Sequence, residues 1–255
     1  MACGFSLTWP PESKATSSSG YKLPDTIIGI SLAVALGLIG LYLKAFDLGG
    51  CLAGIALSLV IVWSMGTNAY GVVIVFVVLG SAATRVGFRV KLARGIAQPN
   101  KGHRGARHAL VNLGVPAACA LGYALFPAAA VLRAAFVASV ASALADTLGT
   151  ELGQLLSGRP VLLLQRKAVP PGTPGAVSLQ GIFAGLLGAA LVGAFASAMG
   201  VIPPRIFPPL MLSVLLAVSV ESILGELSTQ APALTNPVRN LLLTASAAAL
   251  MCLLA

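Results

Sequence analysis

Charge is scarce in this 255-residue chain: Asp, Glu, Lys and Arg together make up 9%, against 57% hydrophobic residues and a mean hydropathy of +0.94. No water-facing surface can be built from that composition, which excludes a soluble globular protein. Aromatic residues are also few, 6%, whereas glycine occurs 28 times. That balance belongs to membrane helices packed through small side chains rather than to an aromatic core. The four cysteines, Cys3, Cys51, Cys119 and Cys252, stand far apart with no Cys-x-x-Cys pair. A disulfide framework and a zinc site are therefore unsupported, and the cysteines read as packing residues. Neither Gly-x-x-x-x-Gly-Lys-Ser/Thr nor Gly-x-Gly-x-x-Gly occurs, so there is no P-loop and no dinucleotide fingerprint. The N-terminal segment lacks the basic start, apolar middle and small-residue cleavage site of a signal peptide. Residues 1–25 read as a polar, serine-rich, disordered tail that is retained, and residues 26–255 as a single transmembrane domain.

What is present is a series of apolar runs. Stretches near the 17 to 25 residues that cross about 30 Å of hydrocarbon fall at 26–43, 48–65, 110–126, 177–200 and 207–224. Less tidy ones fall at 70–84, 128–144 and 238–255. The fold class expected is an all-α, polytopic helical bundle of about eight transmembrane helices. Alternating loops then divide the basic residues into two sets. One holds Lys44, Arg85, Arg89, Lys91, Arg94, Lys101, Arg104, Arg107, Arg159, Arg166, Lys167 and Arg239; the other holds only Lys14, Lys22, Arg133 and Arg205. The bias puts the first set in the cytoplasm and both termini outside. Gly50 with Gly54 and Gly181 with Gly185 are small-residue pairs whose four-residue spacing suits close helix packing.

Polar groups are costly inside a bilayer, so the few that occur there direct attention to function. Asp146 and Glu151 end the fifth span, Glu221 and Glu226 the seventh, and Asn236 and Asn240 begin the eighth, all on the side that carries the basic loops. On a helix Asp146 shares a face with Thr150, and Thr147 with Glu151, whereas Asp146 and Glu151 diverge by about 140°. One ion could hold both acids only if the helix unwound at Gly149. Either the carboxylates ligate a divalent cation through hard oxygen, or they are interfacial charges paired with Arg or Lys. Glu226, nearer the aqueous loop, is expected to tolerate neutralisation. The Pro/Gly-rich run 169–178 leads into a span, so it is either an anion cradle at a helix N-terminus or a plain turn. The run 85–107 carries seven basic residues and no acid. It is either a topogenic and lipid-headgroup signal or a phosphate contact, for which Arg supplies a bidentate fork. His103 and His108 lack a third ligand for a metal, and the run lacks the stacking aromatics that single-stranded nucleic acid requires. No nucleic-acid partner is expected.

In order and combination these motifs resemble one integral membrane family, which contains plant phytyl-phosphate kinase and the animal transmembrane protein nineteen. The acidic motif falls on Asp146, Thr147, Glu151 and Gly153, the loop on Pro170, Gly172, Thr173, Gly175, Val177 and Ser178, and the late motif on Ser222, Leu224, Gly225, Asn236 and Asn240. Gly80, Arg85, Arg104, Gly105, Arg107 and Asn112 look like those of bacterial members. The chain departs from the family pattern at Gly149 and Thr150, at Pro174 and Ala176, at Glu221 where Asp is usual, and at Pro237 and Arg239. Pro174 stands where relatives carry a carboxylate.

The resemblance implies a CTP-dependent isoprenoid monophosphate kinase at the cytoplasmic face of a bacterial inner membrane, with Mg²⁺ and a nucleoside triphosphate required and membrane lipid as surroundings. On that reading Asp146, Glu151 and Glu221 hold the metal and do the catalytic work. Arg85, Arg104, Arg107, Asn112, Thr147, Lys167, Gly172, Thr173, Gly175, Ser178, Ser222, Asn236 and Asn240 contact the substrates. Rival readings are a lipid-phosphate translocase, which should carry its polar groups near mid-membrane, and a CTP-dependent lipid cytidylyltransferase, which would release pyrophosphate.

Overall fold

Alanine, serine and valine dominate α5 (Val131–Leu156), and every residue of 134–145 is buried. Side chains this small let the other helices approach the α5 backbone from all sides. Ser139 and Ser142 keep their hydroxyls satisfied by donating to the Phe136 and Ser139 carbonyl oxygens, at 2.9 Å each. In the computed structural model, which describes residues 23–98 and 102–255, α5 is the axis of an all-α bundle. Around it stand α2 (Leu48–Arg85), α4 (Ala106–Leu125), α6 (Leu179–Ala198), α7 (Phe207–Leu227) and α8 (Asn236–Leu254), with α1 (Leu23–Tyr42) packed outside them on α2. The short α3 (Phe88–Ala93) lies between α2 and α4. Cys51, Cys119 and Cys252 are free thiols; Cys51 is buried as a packing residue should be, Cys119 is partly buried, and Cys252 is exposed.

Among the described residues seven helices are long and apolar enough to cross a membrane, yet the chain passes through the bundle eight times. A straight α2 of 38 residues would measure about 57 Å, nearly twice the hydrocarbon thickness. Instead it breaks at Gly66, whose φ of 80° and ψ of −179° lie outside the helical region and suit only glycine. The two halves run antiparallel. Arg85 at the far end donates to the Leu43 carbonyl oxygen just before the near end, at 2.7 Å. Arg104 touches both halves, accepting from Asp47 N–H through its carbonyl and donating to Gly80 O at 3.1 Å. The spans expected at 48–65 and 70–84 are these two halves.

Two other boundaries differ from the sequence reading. α1 begins at Leu23 rather than 26, because Pro24 and Asp25 are favoured in a first helical turn; the expected tail otherwise falls on residues 1–22, outside the described residues. α5 runs twelve residues beyond 144, so Asp146 and Glu151 are both helical and Gly149 does not unwind. Gly181 and Gly185 do pack a helix seam, with the Gly149 and Ala145 carbonyl oxygens each 2.8 Å from an added Cβ. Gly50 packs against the Arg104 carbonyl of a loop instead, and Gly54 meets nothing within 4 Å.

The loops divide by face. One end of the bundle gathers residues 43–47, 86–98, 102–105, 157–178 and 228–235, and with them every described basic residue except Arg133 and Arg205. By the positive-inside rule this end is expected to face the cytoplasm. In a cysteine-free background, Arg89→Cys and Arg159→Cys should therefore resist an impermeant thiol reagent applied to intact cells, while Ala128→Cys at the other end is labelled. Labelling of the first two before permeabilisation would invert the topology.

Candidate functional site

A cavity of about 760 Å³ opens at the basic end of the bundle. α5 contributes Asp146, Gly149, Thr150 and Gly153, whose spacing of three and four residues defines one helical face. α7 contributes Glu221 and Ser222, and α8 contributes Asn236, Arg239 and Asn240 from its first turn. The loop 171–178 forms one wall, and Arg104, Gly105 and Arg107 at the start of α4 form another. Three helix N-termini, those of α4, α6 and α8, thus meet the cavity at Gly105, Ser178 and Asn236. Their positive dipole ends, with three guanidinium groups, give the cavity a lining whose chemistry suits anions.

The loop 157–178 is better ordered than a plain turn requires. Val161 and Leu162 in β1 (Val161–Leu162) pair antiparallel with Val177 and Ala176 in β2 (Ala176–Val177), a hairpin that the sequence reading lacked. Glu226, buried at 5% exposure, anchors it: its two carboxylate oxygens accept from Leu164 N–H and Gln165 N–H, each at 2.9 Å. The expectation that Glu226 tolerates neutralisation is therefore corrected. Glu226→Gln replaces one acceptor by an NH₂ donor facing an N–H, and should cost about 1–3 kcal/mol, read as a lower thermal midpoint in detergent. Gly175 fixes the other side of the loop. Its φ is +76°, and a Cβ there would lie 2.2 Å from Glu226 N and 2.3 Å from Ser222 O, so only glycine fits against α7.

Most of the residues singled out in the sequence come together. Asp146, Thr147, Glu221, Ser222, Arg104, Arg107, Gly172, Thr173, Gly175, Ser178, Asn236 and Asn240 all line the cavity. Four do not. Glu151 points off the opposite side of α5 and is ion-paired with Lys91, both almost wholly buried. Arg85 is exposed, its guanidinium spent on Leu43 O. Lys167 is exposed and enters the structure through its carbonyl oxygen, which accepts from Leu162 N–H at 3.0 Å. Asn112 is buried in a smaller neighbouring cavity, donating to His108 O at 2.8 Å. Pro174 stands on the main cavity wall.

Arg239 is a cavity residue that sequence reasoning did not place in the site, having noted it as a loop charge and as a departure from the family pattern. It is 8% exposed, lies 3.6 Å from a Glu221 oxygen through Nε, and donates from Nη2 to Asn236 Oδ1 at 3.1 Å. Its Nη1 and the nearby Asn240 Oδ1 have no hydrogen-bond partner among the described residues. A cation three residues after Asn236, at the start of an apolar run, was the available signal. Arg104 is held by Gly80 O and Thr84 Oγ1. Burial pushes its guanidinium down to about 10, with Glu151 opposing and Arg85 assisting, so it remains a cation at neutral pH.

Among the described residues no three His, Cys, Asp or Glu side chains converge to hold a metal ion. Of the expected trio, Asp146 and Glu221 line the cavity and interact electrostatically with each other and with Arg239, whereas Glu151 is ion-paired with Lys91 outside it. Two carboxylates nonetheless fit Mg²⁺ in a phosphate site, where the ion takes one or two carboxylates and completes its shell with phosphate oxygens and water.

A family model described as integral membrane protein DUF92 matches residues 31–241. An uncharacterized membrane protein of Synechocystis is 35% identical over 188 residues, 71% of this chain and 72% of that one. The chloroplastic protein VTE6 of Arabidopsis thaliana is 32% identical over 166 residues, covering 63% of this chain and 49% of that protein. An uncharacterized membrane protein of Methanocaldococcus jannaschii is 29% identical over 152 residues, 60% of this chain and 62% of the other. The match thus spans about half the length of the Arabidopsis protein. No solved structure matches the chain.

Proposed function

Because the chain belongs to the DUF92 family of integral membrane proteins, the family its motifs resemble, we propose that it is an isoprenoid monophosphate kinase using a nucleoside triphosphate, with CTP the first candidate. The observation that carries the reading is the meeting, in one cavity at the basic end of the bundle, of two carboxylates, three arginines and three helix N-termini. Phosphoryl transfer asks little else of a protein than positioning and charge neutralisation. The similarity to a chloroplastic plant protein over 166 residues adds support from the family side.

In the reaction, an oxygen of the lipid monophosphate attacks the γ-phosphorus and the bond from that phosphorus to the β,γ-bridging oxygen breaks. Lipid diphosphate and nucleoside diphosphate result. Asp146 and Glu221 are the residues that would hold Mg²⁺, which when bound neutralises phosphate charge and brings donor and acceptor together. Arg239 and Arg107, with the positive ends of α6 and α8, draw in the remaining charge. Gly172 to Ser178 lie along the cavity wall where backbone N–H groups suit phosphate oxygens. The acceptor's head must meet a soluble triphosphate at the interface, and the polar groups cluster at one end of the bundle rather than at its middle, which disfavours the translocase reading.

The test uses the purified protein in lipid nanodiscs with γ-labelled or base-labelled CTP, other triphosphates, Mg²⁺ and a panel of prenyl monophosphates. Label from the γ-phosphate alone should enter the lipid as diphosphate, and chelation should stop it. Entry of the base label would identify a cytidylyltransferase, and entry of neither would overturn both enzymes.

A further inference from the structure

The cavity does not end at its charged groups. Below Glu221 its α7 wall continues through Val218 and Leu215 to Val214, and its α6 wall through Ile182 and Gly185 to Leu186. Seven residues at 1.5 Å each take it about 10 Å deeper than Glu221. This lower part carries one hydroxyl, Ser219, and no charge. Two of its walls also face outward: Ile182 is 41% and Leu215 42% exposed, so the side chains that line the cavity border the surrounding hydrocarbon as well. The adjoining seams are shut. Gly149, Gly153, Gly181 and Gly185 bring α5 and α6 into backbone contact, and the Arg239–Glu221 pair ties α8 to α7.

We propose that the seam between α6 and α7 is a lateral portal, through which the hydrocarbon tail of a lipid phosphate passes from the bilayer into the cavity while its phosphate sits at Arg239. The inference deepens the function proposed above and rests on it for the identity of the head group. Withdrawing a tail from the membrane costs about 0.8 kcal/mol per CH₂, so a site for such a lipid must leave the tail in an apolar setting. An apolar slot that is open to the membrane on one side does so. At its upper end the guanidinium of Arg239, mostly buried and with Nη1 unpartnered, meets the charge of the head.

The probe is dodecyl phosphate with a diazirine at the tail end, photolysed in nanodiscs that contain the full chain, with diazirine dodecanol as a control for the same tail. Adducts should concentrate on Ile182, Leu186, Leu215 and Val218, be competed by unlabelled dodecyl phosphate, and stay at background with the alcohol. Leu215→Trp, which fills the slot from a half-exposed position, should lower labelling of Ile182 about tenfold, the scale of an overpacked contact; Val218→Trp gives the same reading should the first variant fail to fold. Adducts spread evenly over lipid-facing side chains such as Leu38 and Leu125, or equal labelling by the alcohol, would overturn the portal. Its fate separates from that of the kinase reading. Seam labelling by a protein that transfers no phosphoryl group keeps the portal and removes the kinase, whereas transfer with adducts elsewhere does the opposite.

Discussion

Asp146→Asn is expected to insert and fold like the parent protein yet lose about 10²-fold or more of its turnover, since about 3 kcal/mol of transition-state stabilisation corresponds to that factor. The substitution keeps size and packing and removes one negative charge from the cavity wall. Asp146 is the acid with the most to lose. It shares the cavity with Glu221, and it interacts electrostatically with Arg239 and is hydrogen-bonded to the Thr150 side chain, whereas the carboxylate of Glu226 is taken up by Leu164 and Gln165 N–H. The loss should fall on kcat at saturating Mg²⁺ and triphosphate and should deepen when Mg²⁺ is lowered. If Asp146 were only an interfacial charge, neutralising it would ease burial and leave catalysis alone. Near-parental transfer by Asp146→Asn at low Mg²⁺ would therefore remove the metal role and leave the kinase reading to the family resemblance and the arginines.

The carboxylates of α5 and α7 show how far the sequence reaches. Hydropathy finds the helices because lipid demands long apolar runs with satisfied backbones, and the spans at 110–126, 177–200, 207–224 and 238–255 match α4, α6, α7 and α8 to within a few residues. Periodicity along α5 also separates Asp146 from Glu151 correctly, because both lie in one unbroken helix. What periodicity cannot supply is the partner on the other face. Lys91 lies 60 residues from Glu151, in a short helix that the sequence reads as basic loop, and nothing local announces the pairing. Glu226 misleads for the same reason: its place near a helix end suggests water, while the hairpin that buries it is closed by contacts 61 and 62 residues away. Arg239 fails differently. Its charge was absorbed by the topology count, although the positive-inside signal and a cavity-lining cation draw on the same residues when the cavity opens at the basic end.

Lys91→Met is expected to destabilise the protein by about 3–5 kcal/mol, the cost of leaving a buried carboxylate without its cation. Lys91 is 1% and Glu151 2% exposed. The ammonium group also donates to the Ala83 and Thr84 carbonyl oxygens at 3.2 and 3.0 Å, at the last turn of α2. Truncating it orphans a charge and two acceptors at once. The double variant Lys91→Met with Glu151→Leu removes both charges together and should recover most of the loss, because a well-packed apolar pair often replaces a buried ion pair at no net cost. Unfolding titrations of the single and double variants in mixed micelles measure the coupling directly. Activity then separates the two roles open to Glu151. A latch that fastens α3 and the basic loop to α5 predicts that the refolded double variant transfers phosphoryl groups at close to the parental rate. A metal ligand predicts that it is inactive however stable it becomes, and that Glu151→Gln alone abolishes turnover without lowering stability.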